Sequence, residues 1–271
     1  MTRISSGAAV LDSLLRQDYS RIASSLAGFV KRYIASSNSG GVVVGLSGGL
    51  DSSAVATICV RAIGADRVYG LIMPAAATPE QDINDAAGLA RSLGIRYDTP
   101  RLEDIVSEFQ SALPGSSDNK PLGNLTSRIR MSVLYYYAAV NKMLVAGTTD
   151  KSELLIGYFT KYGDGAADIE PIASLYKSQV RALGKFLKVP DEILQKKSSP
   201  RLWQNQLAEE EIGIDYETID SVLYLLVDKK MDKNKISRKL GIDSNTIDKI
   251  TGMVLSSAHK RKTPPFPRLR A

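Results

Sequence analysis

The stretch Gly41-Val-Val-Val-Gly-Leu-Ser-Gly-Gly-Leu-Asp-Ser-Ser53 decides how the rest of the chain is read. A short apolar run, Val42 to Val44, meets a glycine-rich turn, and a helix-compatible segment from Ser52 to Ile63 follows directly. The order is strand, loop, helix. Glycines let the backbone approach a ligand closely, and N–H groups at the start of the next helix face an anion, so the loop points to phosphate. Ser47, Ser52 and Ser53 add hydroxyl donors. The loop has neither the lysine of a Walker A sequence nor the third glycine of a dinucleotide fingerprint. A carboxylate in a phosphate cradle repels its ligand unless a cation stands between them, so Asp51 implies bound Mg2+. Taken alone, the same stretch is also a Gly-Ser turn capped by Asp51 at a helix start.

Upstream, Tyr19 to Ser36 carries Ile22, Leu26, Phe29, Val30 and Tyr33 at helical spacing, an amphipathic helix leading into the first strand. Downstream, Arg67 to Pro74 reads as a second buried strand closed by proline, and Pro79 to Leu93 as a helix with proline in its first turn. Arg96 to Thr99 is a third, short strand, and Met143 to Ala146 another, ending at Gly147-Thr148-Thr149-Asp150. Strands alternating with helices predict an α/β fold: a parallel sheet with right-handed crossovers and helices on both faces. A ligand is expected outside the carboxyl ends of the strands, where Gly45 to Ser52 and Met73-Pro74 lie. Leu113 to Pro121 is the most turn-prone stretch and reads as a mobile loop near the site, running into a helix that ends at Val140. We expect one domain over residues 1–271, with a helical C-terminal segment, about 205–260, packed on it.

The chain has 271 residues, 44% hydrophobic and 24% charged, which suits an ordinary soluble protein with a substantial core. A formal charge of +6 fits a small polyanionic ligand and is weak for a dedicated nucleic-acid binder. Cys59 is the single cysteine and His259 the single histidine, so disulfides within the chain, thiol clusters and Ser-His-Asp or Cys-His machinery are excluded. No segment resembles a secretory signal or reaches the ~18 apolar residues of a membrane span, and a cytoplasmic location is expected.

Ser47-Gly-Gly-Leu-Asp-Ser52 resembles the pyrophosphate-binding loop of the N-type ATP pyrophosphatases, which split ATP into AMP and pyrophosphate while adenylating an oxygen. That loop alone leaves open the synthesis of guanylate, argininosuccinate or asparagine and the thiolation of transfer RNA. The second half narrows the field. Gly123-Asn124, Arg128-Ile-Arg-Met131, Gly147-Thr148 with Glu153, and Gly157-Tyr-Phe-Thr-Lys-Tyr-Gly-Asp-Gly-Ala-Ala-Asp168 occur in order. Lys177, Ser198-Ser-Pro200 with Leu202-Trp203, Glu209-Glu-Glu-Ile-Gly213 and His259-Lys260 follow. Over about residues 20 to 265 this pattern resembles the ammonia-dependent NAD synthetases.

The resemblance implies a Rossmann-like, adenine nucleotide alpha hydrolase-like fold and the ATP-dependent amidation of deamido-NAD with ammonia, through an adenylated intermediate. It implies that Gly45, Leu46, Ser47, Gly48, Gly49, Leu50, Asp51 and Ser52 hold the ATP phosphates, with Gln81 near the nucleotide. Thr148, Lys177 and Ser199 are further ATP contacts, Lys177 as a point charge on phosphate oxygen. Asp51 and Glu153 are the implied Mg2+ ligands, and with Lys177 the implied catalytic set. Asn124, Arg128, Lys161, Asp168, His259 and Lys260 are the implied deamido-NAD contacts, with Asp168 left open between a ribose and the incoming ammonium. A homodimer sharing the dinucleotide site is expected, and the Tyr135-Tyr136-Tyr137 cluster with the N-terminal helix could serve that contact or be core. Free ammonia is the expected donor, since the chain leaves no length for an amidase domain; a separate amidase partner stays open. The segment Thr149-Asp-Lys-Ser-Glu153 departs from the Asp-His-Ala-Ala-Glu of many members while keeping Glu153.

Two rival readings fit parts of the sequence. Lys235 to Ile250 has the short helix, Gly turn and second helix of a DNA-binding helix-turn-helix. Asp243 and Asp248 flank its second helix, and packing onto the catalytic domain to deliver His259 and Lys260 is preferred; nucleic acid is not an expected partner. The other rival keeps the adenylating chemistry but acts on a transfer-RNA base, and the lack of a Cys pair disfavours it.

Overall fold

The computed structural model of the chain describes residues 6–116 and 118–267. The chain enters through helices α1 (Ser6–Leu15) and α2 (Tyr19–Ser36), then alternates strand β1 (Val42–Gly45), α3 (Leu50–Ile63), β2 (Val68–Leu71), α4 (Glu80–Leu93) and β3 (Arg96–Asp98). Two helices, α5 (Glu103–Ala112) and α6 (Asn119–Asn141), precede β4 (Leu144–Ala146). Then come α7 (Lys151–Ile156), α8 (Lys177–Phe186), α9 (Asp191–Leu194), α10 (Ala208–Ile212), α11 (Tyr216–Leu223), α12 (Lys233–Leu240) and α13 (Ser244–Ser256).

The strands form one parallel sheet in the order β3-β2-β1-β4. Because strand side chains alternate, Val42, Val44 and Val68 join one core with Ile34 of α2, Val55 of α3 and Leu183 of α8. Val43, Tyr69, Leu71 and Val145 face the opposite way, onto Ile129 and Ala138 of α6. Both faces are therefore covered, which is why the strands read as near-continuous apolar runs. From β1 the chain steps outward to β2 and β3 and then returns to β4 on the other side of β1. The loops leaving β1 and β4 diverge, and the crevice between them is the natural ligand site of such a sheet.

Helix starts differ from the sequence reading where caps reach further than periodicity. Helix α3 begins at Leu50, with Gly49 as N-cap in an extended conformation; the hydroxyls of Ser52 and Ser53 donate back to the Gly49 carbonyl at 3.1 and 2.7 Å. Helix α6 begins at Asn119, inside the stretch read as loop. Asp118 accepts from the Lys120 N–H, and Pro121 falls in the first turn, where no intrahelical donor is required.

A second core holds the C-terminal helices. Ile236 of α12 and Ile247 and Ile250 of α13 are buried with Val10 and Leu14 of α1, Ile156 of α7 and Val222 of α11. The helix-turn-helix thus spends its apolar stripe on packing, and its C-terminal end docks on α7. Ser257 Oγ donates to the Leu155 carbonyl at 3.3 Å, and Arg261 donates to the carbonyls of Leu154 and Leu155 at 3.0 and 2.7 Å. Among the described residues, no helix is long and apolar enough to cross a membrane.

Candidate active site

A cleft of about 510 Å³ opens at the carboxyl ends of β1 and β4. Its walls include the whole loop from Gly45 to Ser52, Met73-Pro74, Gly147 to Thr149, Glu153, and the segment Lys196 to Trp203. That volume lies within the usual range for a small-molecule site. Gly48 has φ of +72°, and a Cβ there would sit 2.1 Å from the Asp82 carbonyl oxygen, so both conformation and space require glycine. Inside the loop, the Ser47 and Ser52 hydroxyls lie 3.1 Å apart, and the Gly49 N–H donates to Ser47 Oγ at 3.2 Å. These bonds tie the turn into one cradle at the N-terminus of α3, where the helix dipole favours negative charge.

One carboxylate from the loop meets two from the start of α7. Asp150 is the N-cap of α7, accepting from the Glu153 N–H at 2.8 Å, and an N-cap and the residue three positions on lie on the same side of the first turn. Oxygens of Asp51, Asp150 and Glu153 all lie within 4.8 Å of one another. Lys177, the first residue of α8, reaches into this cluster: its Nζ is 2.8 Å from Asp51 Oδ2, Asp150 Oδ2 and Glu153 Oε1. The Asp150 contact is close but off the hydrogen-bonding direction, and Asp51 Oδ1 is buried with no partner. Burial works against the charge on Lys177, but Asp150, Asp51 and Glu153 outweigh it and hold its pKa well above the usual lysine value. Burial pushes Glu153 well above the carboxylate range, with Lys177 opposing and Asp150 and Asp51 adding to the rise. Three carboxyl groups around one ammonium leave surplus acceptors, and crowd like charge that a further cation would relieve. The donor set and the unpartnered Asp51 oxygen fit a hard divalent cation.

The floor is braced from the second core. Asp220 of α11, fully buried, accepts from Ser152 Oγ at 2.5 Å and from the Ser178 N–H at 2.7 Å, while Ser152 Oγ accepts from the Lys177 N–H at 2.9 Å. One carboxylate therefore fixes the first turns of α7 and α8, which carry Glu153 and Lys177. Tyr216 of α11 adds its ring 5.2 Å from Lys177 Nζ.

Glu170 packs against Gly147 at the end of β4, where a Cβ would come within 2.3 Å of Glu170 Oε1, and accepts from the Thr149 N–H at 3.1 Å. Burial raises its pKa from 4.5 to about 8 against the lowering hydrogen bonds of Thr149. Between those two values the folded protein keeps a proton that the unfolded chain has lost, so this group's contribution to stability falls as pH rises from about 4.5 to about 8. Glu170→Gln keeps an acceptor for Thr149 without a titrating group. Its stability should match the parent near pH 4.5 and exceed it at pH 8 by on the order of 2 kcal/mol, read as a higher melting temperature, less than the full linkage because part of the side chain meets solvent. Identical melting of the two proteins at pH 8 would sink this assignment.

The residues singled out from the sequence separate into two sets. Gly45 to Ser52, Thr148, Glu153, Ser199, Asn124 and Lys260 line the one cleft. Asn124 accepts from Thr160 Oγ1 at 2.7 Å, Ser199 Oγ donates to the Gln206 carbonyl at 2.5 Å, and Lys260 Nζ donates to the carbonyls of Gly157 and Phe159 at 2.8 and 2.6 Å. Lys177 lies beneath the cleft, its side chain 2% exposed. Arg128, Lys161, Asp168, His259 and Gln81 do not line it. Arg128 Nε donates to the Lys161 carbonyl at 3.3 Å, Asp168 accepts from the Val145 N–H at 2.8 Å, and Gln81 Nε2 donates to Asp85 Oδ1 at 2.7 Å. Asp150, Lys196 and Asp220 were not foreseen. Asp150 carried a signal, an acidic N-cap immediately after a strand at the sheet's crevice.

A parallel sheet with a phosphate-type loop at its switch point and an acidic cluster at the loop's flank defines an α/β enzyme of the nucleotide-binding class. Residues 22–264 match the family model of NAD synthase. The NH3-dependent NAD+ synthetase of Hyperthermus butylicus is 48% identical over 258 residues, covering 95% of this chain and 94% of that protein. Two solved structures superimpose on 93% of the chain and the whole of their own, each at 34% identity: an NMN synthetase from Francisella tularensis, TM-score 0.83, and an NH3-dependent NAD synthetase from Campylobacter jejuni, TM-score 0.80. The chain belongs to the NAD synthase family and is a ligase forming a C–N bond.

Proposed function

We propose that this chain completes NAD synthesis by amidating deamido-NAD with free ammonia at the expense of ATP, releasing AMP and pyrophosphate. The observation that carries this reading is the meeting of the phosphate loop with Asp51 and Glu153 in a single cleft, with Asp150 buried against both. The loop N–H groups and the Ser47 and Ser52 hydroxyls receive the triphosphate. Asp51, Asp150 and Glu153 would hold Mg2+. When bound, that ion neutralises the leaving pyrophosphate and makes the α-phosphorus more electrophilic.

The chemistry needs no protein nucleophile. A carboxylate oxygen of the nicotinate attacks the α-phosphorus, the bond to pyrophosphate breaks, and an acyl-adenylate forms. Ammonia attacks the acyl carbon, AMP departs with the former carboxylate oxygen, and a proton is lost from nitrogen. The cleft's contribution is positioning and a preorganised field. Lys177 keeps three carboxylates together that would otherwise repel one another and so maintains the shape of the cation seat. His259, the single histidine, is exposed and outside the cleft, so it carries no proton in the chemistry there. Arg128, Lys161, Asp168 and His259 belong to the dinucleotide's seat outside the ATP cleft. The reading includes a cytoplasmic location and a homodimer; the exposed apolar side chains Tyr136 and Val140 on α6 support the homodimer. Light scattering that returned a monomer at micromolar concentration would remove the dimer.

The test is incubation with ATP, Mg2+, ammonium chloride and deamido-NAD, with chromatographic separation of the nucleotides and Asp51→Asn alongside. NAD and AMP should appear in equal amounts, only with ammonium, and fall by at least about 100-fold in the variant, the usual scale for losing a transition-state electrostatic contact. ADP as the product would mean the loop has been misread. A second acceptor, nicotinate mononucleotide, is favoured by the likeness to the Francisella tularensis NMN synthetase, and belongs in the same assay.

A further inference from the structure

The segment between α9 and α10 crosses the cleft and presses one cation against the phosphate loop. Lys196 Nζ donates to the Gly48 carbonyl at 2.8 Å and to Asp82 Oδ1 at 2.7 Å, and meets Asp85 Oδ2 at 2.5 Å, off the hydrogen-bonding direction. Its side chain is 18% exposed and lines the cleft together with Gly48 and Gly49. We infer that Lys196 is a pyrophosphate-binding residue: its ammonium exchanges the Asp85 contact for a phosphate oxygen when the triphosphate enters, and remains with the pyrophosphate as it leaves. This rests on the reading that the loop from Gly45 to Ser52 receives ATP.

Three other cations near the loop, Lys177, Lys260 and Arg130, are committed. Lys177 cannot leave without stripping three carboxylates of their counter-charge. Lys260 is held by two carbonyls, and Arg130 donates from Nε to the Met73 carbonyl at 3.1 Å. Lys196 differs because its partners have replacements. If it turns away, Asp82 keeps Arg201, whose Nε lies 3.0 Å from Asp82 Oδ2, and Asp85 keeps Gln81. Asp82 keeps a counter-charge, and Asp85 gives up its cation contact at Oδ2 only when the phosphate supplies the ammonium with a more highly charged partner. The four side chains Lys196, Arg201, Asp82 and Asp85 sum to zero charge, and an arriving phosphate tips that balance toward the phosphate. Bond formation at the α-phosphorus moves charge onto the departing pyrophosphate, where a mobile ammonium at the loop gains most.

The experiment is calorimetric titration of inorganic pyrophosphate, with Mg2+, into the full chain and three variants, with thermal melts to verify folding. Lys196→Ala should weaken pyrophosphate binding by roughly 10- to 100-fold, the scale of one charge-assisted hydrogen bond, with AMP binding unchanged. Lys196→Arg should recover most of the loss. Asp85→Asn should bind pyrophosphate several-fold more tightly than the parent, because the competing carboxylate is gone; this variant also keeps the inference testable if Lys196→Ala fails to fold. If Lys196 is only a structural latch, Lys196→Ala and Asp85→Asn weaken binding alike, and the inference is overturned. Parent binding that Lys196→Ala fully retains overturns it alone, whereas a parent that binds neither pyrophosphate nor ATP overturns the loop reading with it.

Discussion

Lys177→Met is expected to abolish activity and lower the melting temperature more than any other single change at the site. The side chain is 2% exposed, and its ammonium stands 2.8 Å from three carboxylates. Methionine fills a similar volume but leaves those carboxylates facing one another in a desolvated pocket. Removing one partner of a buried ionic cluster costs about 3–5 kcal/mol, a large fraction of the stability of an ordinary domain. The pH dependence has a definite sign. Burial already raises the Asp150 and Glu153 pKa values, with Lys177 opposing, so its loss raises them further and the folded state takes up protons the unfolded chain lacks. The variant should therefore lose stability as pH rises through those raised values. Added Mg2+ should restore more of its melting temperature than it adds to the parent's, because the cation meets a seat with no ammonium competing. Thermal melts with and without Mg2+ check this, and a variant that melts like the parent would show that the cluster is not held by Lys177.

Gly48→Ala should leave the fold and remove catalysis. A methyl group at this position lies 2.1 Å from the backbone oxygen of Asp82, which cannot swing aside as a side chain can, and the φ of +72° disfavours an L-residue by about 1 kcal/mol besides. The loop has to move away from α4. Its N–H groups then lose their aim, and the contact from Lys196 to the Gly48 carbonyl is lost with them. A displacement of about an ångström at such donors typically costs on the order of 100-fold in rate. We expect kcat/KM for ATP to fall by at least about that factor with a near-parental circular dichroism spectrum. Parental kcat/KM in Gly48→Ala would mean the loop does not bind the phosphates.

The sheet was legible because both its faces are covered. Val42 to Val44, Val68 to Leu71 and Leu144 to Ala146 are short apolar runs between glycines and helical patterns, and a parallel sheet is the arrangement that hides both sides of such strands. The cradle was legible because a phosphate loop is local: Gly45 to Ser52 are consecutive, and their spacing alone sets strand, turn and helix. The acidic cluster was half legible. Asp51 and Glu153 stood out, whereas Asp150 was given no role, because its place in the cluster depends on where α8 delivers Lys177, a tertiary fact. Lys196 shows the same gap at longer range, since its partners Asp82 and Asp85 lie more than 100 positions earlier in the chain. Arg128, Lys161, Asp168 and His259 follow the family order along the chain, but order says nothing about which wall a side chain faces.

The most direct measurement uses deamido-NAD labelled with oxygen-18 in the nicotinate carboxylate, supplied with ATP, Mg2+ and ammonium. If the carboxylate attacks the α-phosphorus in the cleft, one labelled oxygen must leave with AMP for each NAD formed, and the pyrophosphate must stay unlabelled; mass spectrometry of the two products reads both. Label retained entirely in the dinucleotide, or appearing in ADP or phosphate, would contradict adenylation at this site.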